Sequence, residues 1–155
     1  MLPEPDGHHD HLERVLTRLV RRTFLPTAGE ASRRAAGINL ERATYATLVR
    51  IATLGAGRLS DIAAALGVEA STASRHVTRL VDAGYVEVPT APDDARARRY
   101  SPTAAGDDAL TRVRDARRAH LARALGDWDP DDVDRLAVGL DRLVDALEAD
   151  ERART

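Results

Sequence analysis

Apolar positions recur at helical spacing along most of this chain and change period once, just past its middle. Residues 11–25, HLERVLTRLVRRTFL, put Leu12, Val15, Leu16, Leu19 and Val20 on one stripe. That i, i+3, i+4 spacing predicts an amphipathic helix, which Pro26 ends. A polar, small-residue stretch, TAGEASRRAAG, has room for a short helix, and Asn39 then offers an N-cap for a second long helix carrying Tyr45, Leu48, Val49 and Ala52. The glycines of GAG at 55–57 close it. In RLSDIAAALGV, Ser60 is placed to cap a short helix with Ile62, Ala63 and Leu66 inward, and Gly67 suits the positive φ of a tight turn.

The next stretch, STASRHVTRLVDAGYVE at 71–87, carries two regular stripes. Ala73, Val77, Leu80 and Gly84 form the expected buried face, while Thr72, Arg75, His76 and Arg79 form a polar face. Two short helices around a glycine turn are a helix-turn-helix pattern. After Gly84, YVEVPT and RARRYS read as short extended runs flanking the turn formers of APDDA, which predicts a β-hairpin wing. Thr103 is placed to cap a long, charge-laced helix with Leu110, Val113, Leu121 and Leu125 apolar. The final helix has the clearest start: Asp129 as N-cap, Pro130 in the first helical position, and Asp131 and Asp132 complementing the positive helix end. Val133, Leu136, Ala137, Leu140, Leu143, Val144 and Leu147 then repeat close to a heptad seam, a pattern that wants a partner subunit.

Composition narrows the picture. A chain of 155 residues supports one compact domain, and 3% aromatic content means a core of aliphatic side chains, which favours packed helices. The absence of cysteine excludes a disulfide framework, a thiol nucleophile and a thiol redox switch. The longest uncharged apolar stretch falls well short of the roughly 20 residues of a membrane span, and MLPEPDGHHDH lacks the pattern of a secretory signal, so no membrane association and a cytoplasmic location are expected. All 23 basic residues are arginine, and the net charge of −2 means that a nucleic-acid binder must segregate its charge by face.

A helix after a tight turn, polar at its first two turns, fits the width of the DNA major groove. Ser71, Thr72, Ser74, Arg75, His76 and Arg79 are its candidate contacts, with Arg75 and Arg79 one turn apart, so that one can address a guanine edge and the other a phosphate. His76 is equally readable as a solvent-facing histidine, and Ser71 or Thr72 as a helix cap. In the hairpin, Asp94 can hold Arg96 extended toward a narrow minor groove, with Arg98 and Arg99 just beyond. Local charge does not decide it: across 69–103, Arg75, Arg79, Arg96, Arg98 and Arg99 balance Glu69, Asp82, Glu87, Asp93 and Asp94. His8 and His11 share a helix face but lack a clear fourth ligand, so no metal site is assigned and no cofactor is expected. No phosphate-binding glycine loop or nucleophile elbow is present, which leaves no basis for an enzyme.

Taken together, LSDIAAALGVEASTASRHVTRLVDAGYVE followed by DDARARRYSPTAAG resembles a winged helix of the multiple antibiotic resistance regulator (MarR) family. The resemblance runs through residues 38–106 in motif and nearly the whole chain in element order. It implies a mainly α fold with a small β-hairpin wing, a winged helix-turn-helix with N- and C-terminal dimerisation helices. Residues 1–155 would form a single compact domain with a DNA-binding lobe at 38–103 and a helical dimerisation lobe from 8–37 with 104–150. The implied function is a homodimeric, ligand-responsive repressor on a pseudo-palindromic operator. The helix 71–84 would read bases, and Arg96, matching the second arginine of the family's D-R-R wing element, would enter the minor groove. Here the first arginine of that element is Ala95, and Pro102 stands where leucine is usual. A small-molecule effector, often anionic and aromatic in such families, would sit between lobes, with Phe24, Tyr45 and Leu48 as conceivable pocket residues and core packing as their other reading. Two alternatives have another character: a winged-helix protein-interaction module, and a zinc-responsive regulator using the N-terminal histidines.

Replacing Arg96 with Ala is expected to weaken operator binding in a fluorescence anisotropy titration while leaving the urea unfolding midpoint near its original value. Unchanged affinity would remove the wing from the mechanism.

Overall fold

The computed structural model describes residues 7–24, 29–88 and 98–154, the side chains of Thr23 and Phe24 excepted. In chain order the elements are α1 (Gly7–Phe24), α2 (Glu30–Ala35), α3 (Arg42–Leu54), β1 (Gly57–Arg58), α4 (Leu59–Leu66), α5 (Ala70–Asp82), β2 (Val86–Glu87), β3 (Arg99–Pro102), α6 (Ala104–Ala124) and α7 (Pro130–Ala153). The expected mainly helical fold with a small antiparallel sheet is what forms.

Two apolar clusters organise the first part of the chain. Leu48 and Ile51 of α3, Ile62 of α4, Val77 and Leu80 of α5 and Val86 of β2 are almost wholly buried together. Ala36, Ile38, Tyr45, Ala109 and Val113 form the second cluster, which joins the segment after α2 to α3 and the first half of α6. Leu40, Tyr85 and Leu110 touch both clusters. The chain accordingly divides into units Met1–Arg117 and Arg118–Thr155, with the boundary inside α6. Burial of Ala109 and Val113 is what carries the first half of α6 into the first unit.

Several helix starts differ from the sequence expectation for identifiable reasons. Asn39 does not cap α3; Glu41 occupies that position. Leu40 is committed to both clusters and its carbonyl accepts from Arg33 Nε at 3.2 Å, which keeps residues 38–41 out of the helix. The inward face of α3 is Thr44, Tyr45, Thr47, Leu48 and Ile51, whereas Val49 is exposed. Ser60 lies inside α4, and its expected capping role falls to Asp61, whose carboxylate accepts from the Arg58 backbone N–H at 3.2 Å. The helix starts early because Arg58 is already extended as part of a strand.

That strand turns the expected hairpin into a three-stranded sheet of order β1-β3-β2. Gly57 pairs with Tyr100 and Arg58 with Arg99 on one side of β3, and Val86 with Pro102 and Glu87 with Ser101 on the other, all antiparallel. Two residues are too few to leave a period in the sequence.

The expected Thr103 cap is present and does more than cap. Its hydroxyl accepts from the Gly106 N–H at 3.1 Å and donates to the Gly84 carbonyl at 2.7 Å, while its own N–H donates to Tyr85 O at 3.1 Å. Gly84 is therefore not part of the buried stripe of α5. It is exposed, with φ of 75°, and turns the chain from α5 toward β2. Gly106 is buried where α6 passes this turn, and a Cβ there would lie 2.2 Å from the Tyr85 carbonyl oxygen.

α7 starts as its sequence indicates, with Asp129 accepting from the Asp131 N–H at 2.8 Å and Pro130 in the first turn. None of its residues is buried: Leu136, Leu140, Val144 and Leu147 all remain open, as do Leu12, Leu19 and Val20 on α1. Among the described residues no helix is long and apolar enough to cross a membrane.

Gly106→Ala tests the turn. Alanine's helix propensity favours the substitution by up to about 1 kcal/mol, but the clash is with backbone and cannot be relieved by a rotamer change. Net destabilisation of about 1–3 kcal/mol is expected from urea unfolding.

Candidate nucleic-acid interface

The candidate surface is built on the pair α4 and α5. α4 ends at Gly67, which takes a left-handed φ of 65°, and the N–H groups of Gly67 and Val68 return to the Ala64 and Ala63 carbonyls. Glu69 is extended and α5 begins at Ala70, so Ser71 and Thr72 stand in its first turn as helical residues. No side-chain cap is made at Glu69. First-turn N–H groups without such a cap stay available to an anion.

Ala73, Val77 and Leu80 are buried and set the rotation of α5 about its axis. The face that results is Ser71, Ser74, Arg75 and Thr78, all exposed and spaced i, i+3, i+4, i+7. Arg75 makes no hydrogen bond or ion pair among the described residues. Thr78 was not among the sequence candidates, although its spacing from Ser71 and Arg75 carried the signal.

The remaining candidates on α5 are engaged with the protein itself. His76 is half-buried, and its Nδ1 shares a 3.0 Å hydrogen bond with the hydroxyl of Thr44, a buried residue of α3. Arg79 donates from Nη1 to Glu41 Oε2 at 2.7 Å, with both side chains more than half exposed. Thr72 is half-buried. Of the expected polar stripe, then, Arg75 is open, Arg79 is open but paired, and Thr72 and His76 face inward.

Beside α5 lies the base of the wing. Arg98 and Arg99 are exposed, and Arg99 donates to the Ala56 carbonyl at 2.8 Å. Arg58 stands directly opposite Arg99 across the β1–β3 pair and is also exposed. Like charges facing each other across strands destabilise a sheet pair unless something neutralises them. No local pattern marks Arg58 for this position, since its partner lies far along the chain. Asp94, Ala95 and Arg96 lie outside the described residues.

The other sequence candidates fall elsewhere. Leu48 is fully buried in the first cluster, and Tyr45 is buried in the second, its ring flanked by the guanidinium groups of Arg33 and Arg117 at 5.8 and 5.7 Å. Both are core residues, as their packing reading has it. The Phe24 side chain lies outside the described residues. His8 and His11 are exposed on α1, and no group of three or more His, Asp or Glu side chains fit to hold a metal ion occurs among the described residues.

Comparison with known proteins agrees with this arrangement. Residues 40–97 match the model of the MarR family. RV1404 from Mycobacterium tuberculosis is similar in structure, with 26% identity and a TM-score of 0.70 over 87% of this chain and 92% of that one. The transcriptional regulator Tm0710 from Thermotoga maritima has 24% identity and a TM-score of 0.68 over 91% and 96%. A MarR family protein from Bacillus stearothermophilus has only 15% identity but a TM-score of 0.78 over 94% and 99%. The last two likenesses speak to the fold alone. No curated protein matches the chain in sequence.

Paired substitutions separate the two kinds of residue on α5. His76→Ala, which strips a buried Thr44 hydroxyl of its partner, is expected to cost about 1–3 kcal/mol in urea unfolding. Arg75→Ala is expected to stay within about 0.5 kcal/mol, as for an exposed side chain with no structural partner.

Proposed function

We propose that this chain, whose residues 40–97 match the MarR family, is a sequence-specific DNA-binding transcriptional regulator with no catalytic activity. The observation that carries the reading is the open face of α5. Ser71, Ser74, Arg75 and Thr78 project together from a helix whose opposite face is locked in the core. Such a helix is narrow enough for the major groove, and Arg75 brings a planar fork suited to guanine O6 and N7. Arg58, Arg98 and Arg99, exposed at the small sheet, supply positive charge for phosphates that set the register of the protein on the duplex. Asp94 and Arg96 lie outside the described residues, and their part in the proposal is the one read from sequence: an arginine for the minor groove and a carboxylate to orient it.

The reading includes a homodimer. α7 exposes a near-heptad row of aliphatic side chains along a helix with no buried residue, and α1 exposes a second row. A second copy of the chain is the partner that would cover them, and two recognition helices would then meet half-sites about 34–36 Å apart on a pseudo-palindrome. Repression of the bound promoter and release by a small-molecule effector complete the proposal. A ligand achieves release only by binding one separation of the two helices better than the other.

The experiment is selection of duplexes from a random library by the full chain, followed by anisotropy titration at two salt concentrations. A selected duplex bound at least about 10³ tighter than its scrambled counterpart, with affinity falling steeply as salt rises, is the expected result. Failure of the folded protein to enrich any duplex would overturn the reading.

A further inference from the structure

Two contacts link the start of α3 to α5, one turn apart on both helices: Thr44 with His76, and Glu41 with Arg79. The first is the inner contact, and the second lies at the surface with side-chain exposures of 62% for Glu41 and 53% for Arg79. An exposed ion pair contributes little to stability, and α3 and α5 are already joined through Leu48, Ile51, Val77 and Leu80. An acidic residue at a helix start suits the helix dipole, which accounts for a carboxylate at position 41 but not for its 2.7 Å contact with a residue 38 positions away.

The consequence of the contact falls on Arg79. A free arginine beside a groove can swing to the nearest phosphate, and every sequence supplies phosphates. With one Nη1 donor on Glu41, Arg79 is biased toward a pose that directs its remaining donors one turn beyond Arg75 on the recognition helix. The Glu41 carboxylate also places a negative charge beside that helix, where it disfavours any docking that brings a phosphate against it.

Building on the DNA-binding reading, we infer that Glu41 is a specificity-determining positioning residue: it holds Arg79 in one pose on the recognition surface and withholds it from indiscriminate phosphate contact. Glu41 acts through Arg79 and need not touch DNA.

The test uses the full chain, the tightest duplex that the wild type selects from a random library, and a scrambled duplex of the same composition, by anisotropy at three salt concentrations. Glu41→Gln should tighten binding to the scrambled duplex and lower the specific-to-scrambled ratio about two- to fivefold, the range an exposed ion pair sustains. It should also steepen the salt dependence on the scrambled duplex by about one unit in the log–log slope, as one further phosphate is neutralised. Glu41→Asp, which keeps the charge but loses the reach, should lower the ratio as well. In an Arg79→Gln background, Glu41→Gln should change neither quantity. An unchanged ratio in the Glu41→Gln protein would overturn the inference. So would an effect of full size that persists without Arg79, which would assign it to the field of the carboxylate alone. A wild type that selects no duplex would instead refute the DNA-binding reading from which the inference starts, and urea midpoints establish that each variant is folded.

Discussion

Burial of Val77 and Leu80 against Leu48, Ile51, Ile62 and Val86, with Ala73 also fully buried, fixes the rotation of α5, and with it every residue that the helix can offer to a partner. Each large aliphatic side chain in this cluster contributes about 1.5–3 kcal/mol by leaving water. Turning the helix by one residue would replace Ala73, Val77 and Leu80 with Ser74, Thr78 and Val81 inside the core, so the alternative is strongly disfavoured. The exposed set Ser71, Ser74, Arg75 and Thr78 is thus a by-product of packing, and its chemistry is free to serve recognition.

The turn at Gly84 is the second constraint. Thr103 bonds Gly84 and Gly106 at once, and Gly106 lets α6 run against the Tyr85 carbonyl. These contacts join the turn after α5, the segment leading into β2 and the start of α6 within a few ångströms. The sheet then brings Arg58, from before α4, opposite Arg99. Folding thus adds two charges of opposite sign from outside the 69–103 window, Arg58 opposite Arg99 and Glu41 against Arg79.

Much of this was legible in the sequence where a local rule governs. The 3.6-residue period located the helices; Asp129, Thr103 and Gly67 marked their termini because a single side chain or a positive φ decides each one. The rule failed where a tertiary demand outweighed a local preference. Asn39 is a better cap than Glu41 by propensity, yet the burial of Leu40 in both clusters sets the start of α3. Ser60 lost its capping place because a two-residue strand precedes α4. The candidate site shows the same division. Arg75, Ser71 and Ser74 were identifiable from spacing, whereas the engagement of His76 by Thr44 and of Arg79 by Glu41 depends on contacts more than 30 residues apart.

In the proposed function the open rows on α1 and α7 serve assembly and the open face of α5 serves recognition, and of these surfaces the face of α5 is the one backed by the first apolar cluster. A crystal structure of the full chain on its selected duplex tests the recognition surface most directly. The Arg75 guanidinium is expected within about 3.2 Å of a base edge or phosphate oxygen, with α5 in the major groove. A duplex seated on another face, with residues 71–78 left in solvent, would contradict it.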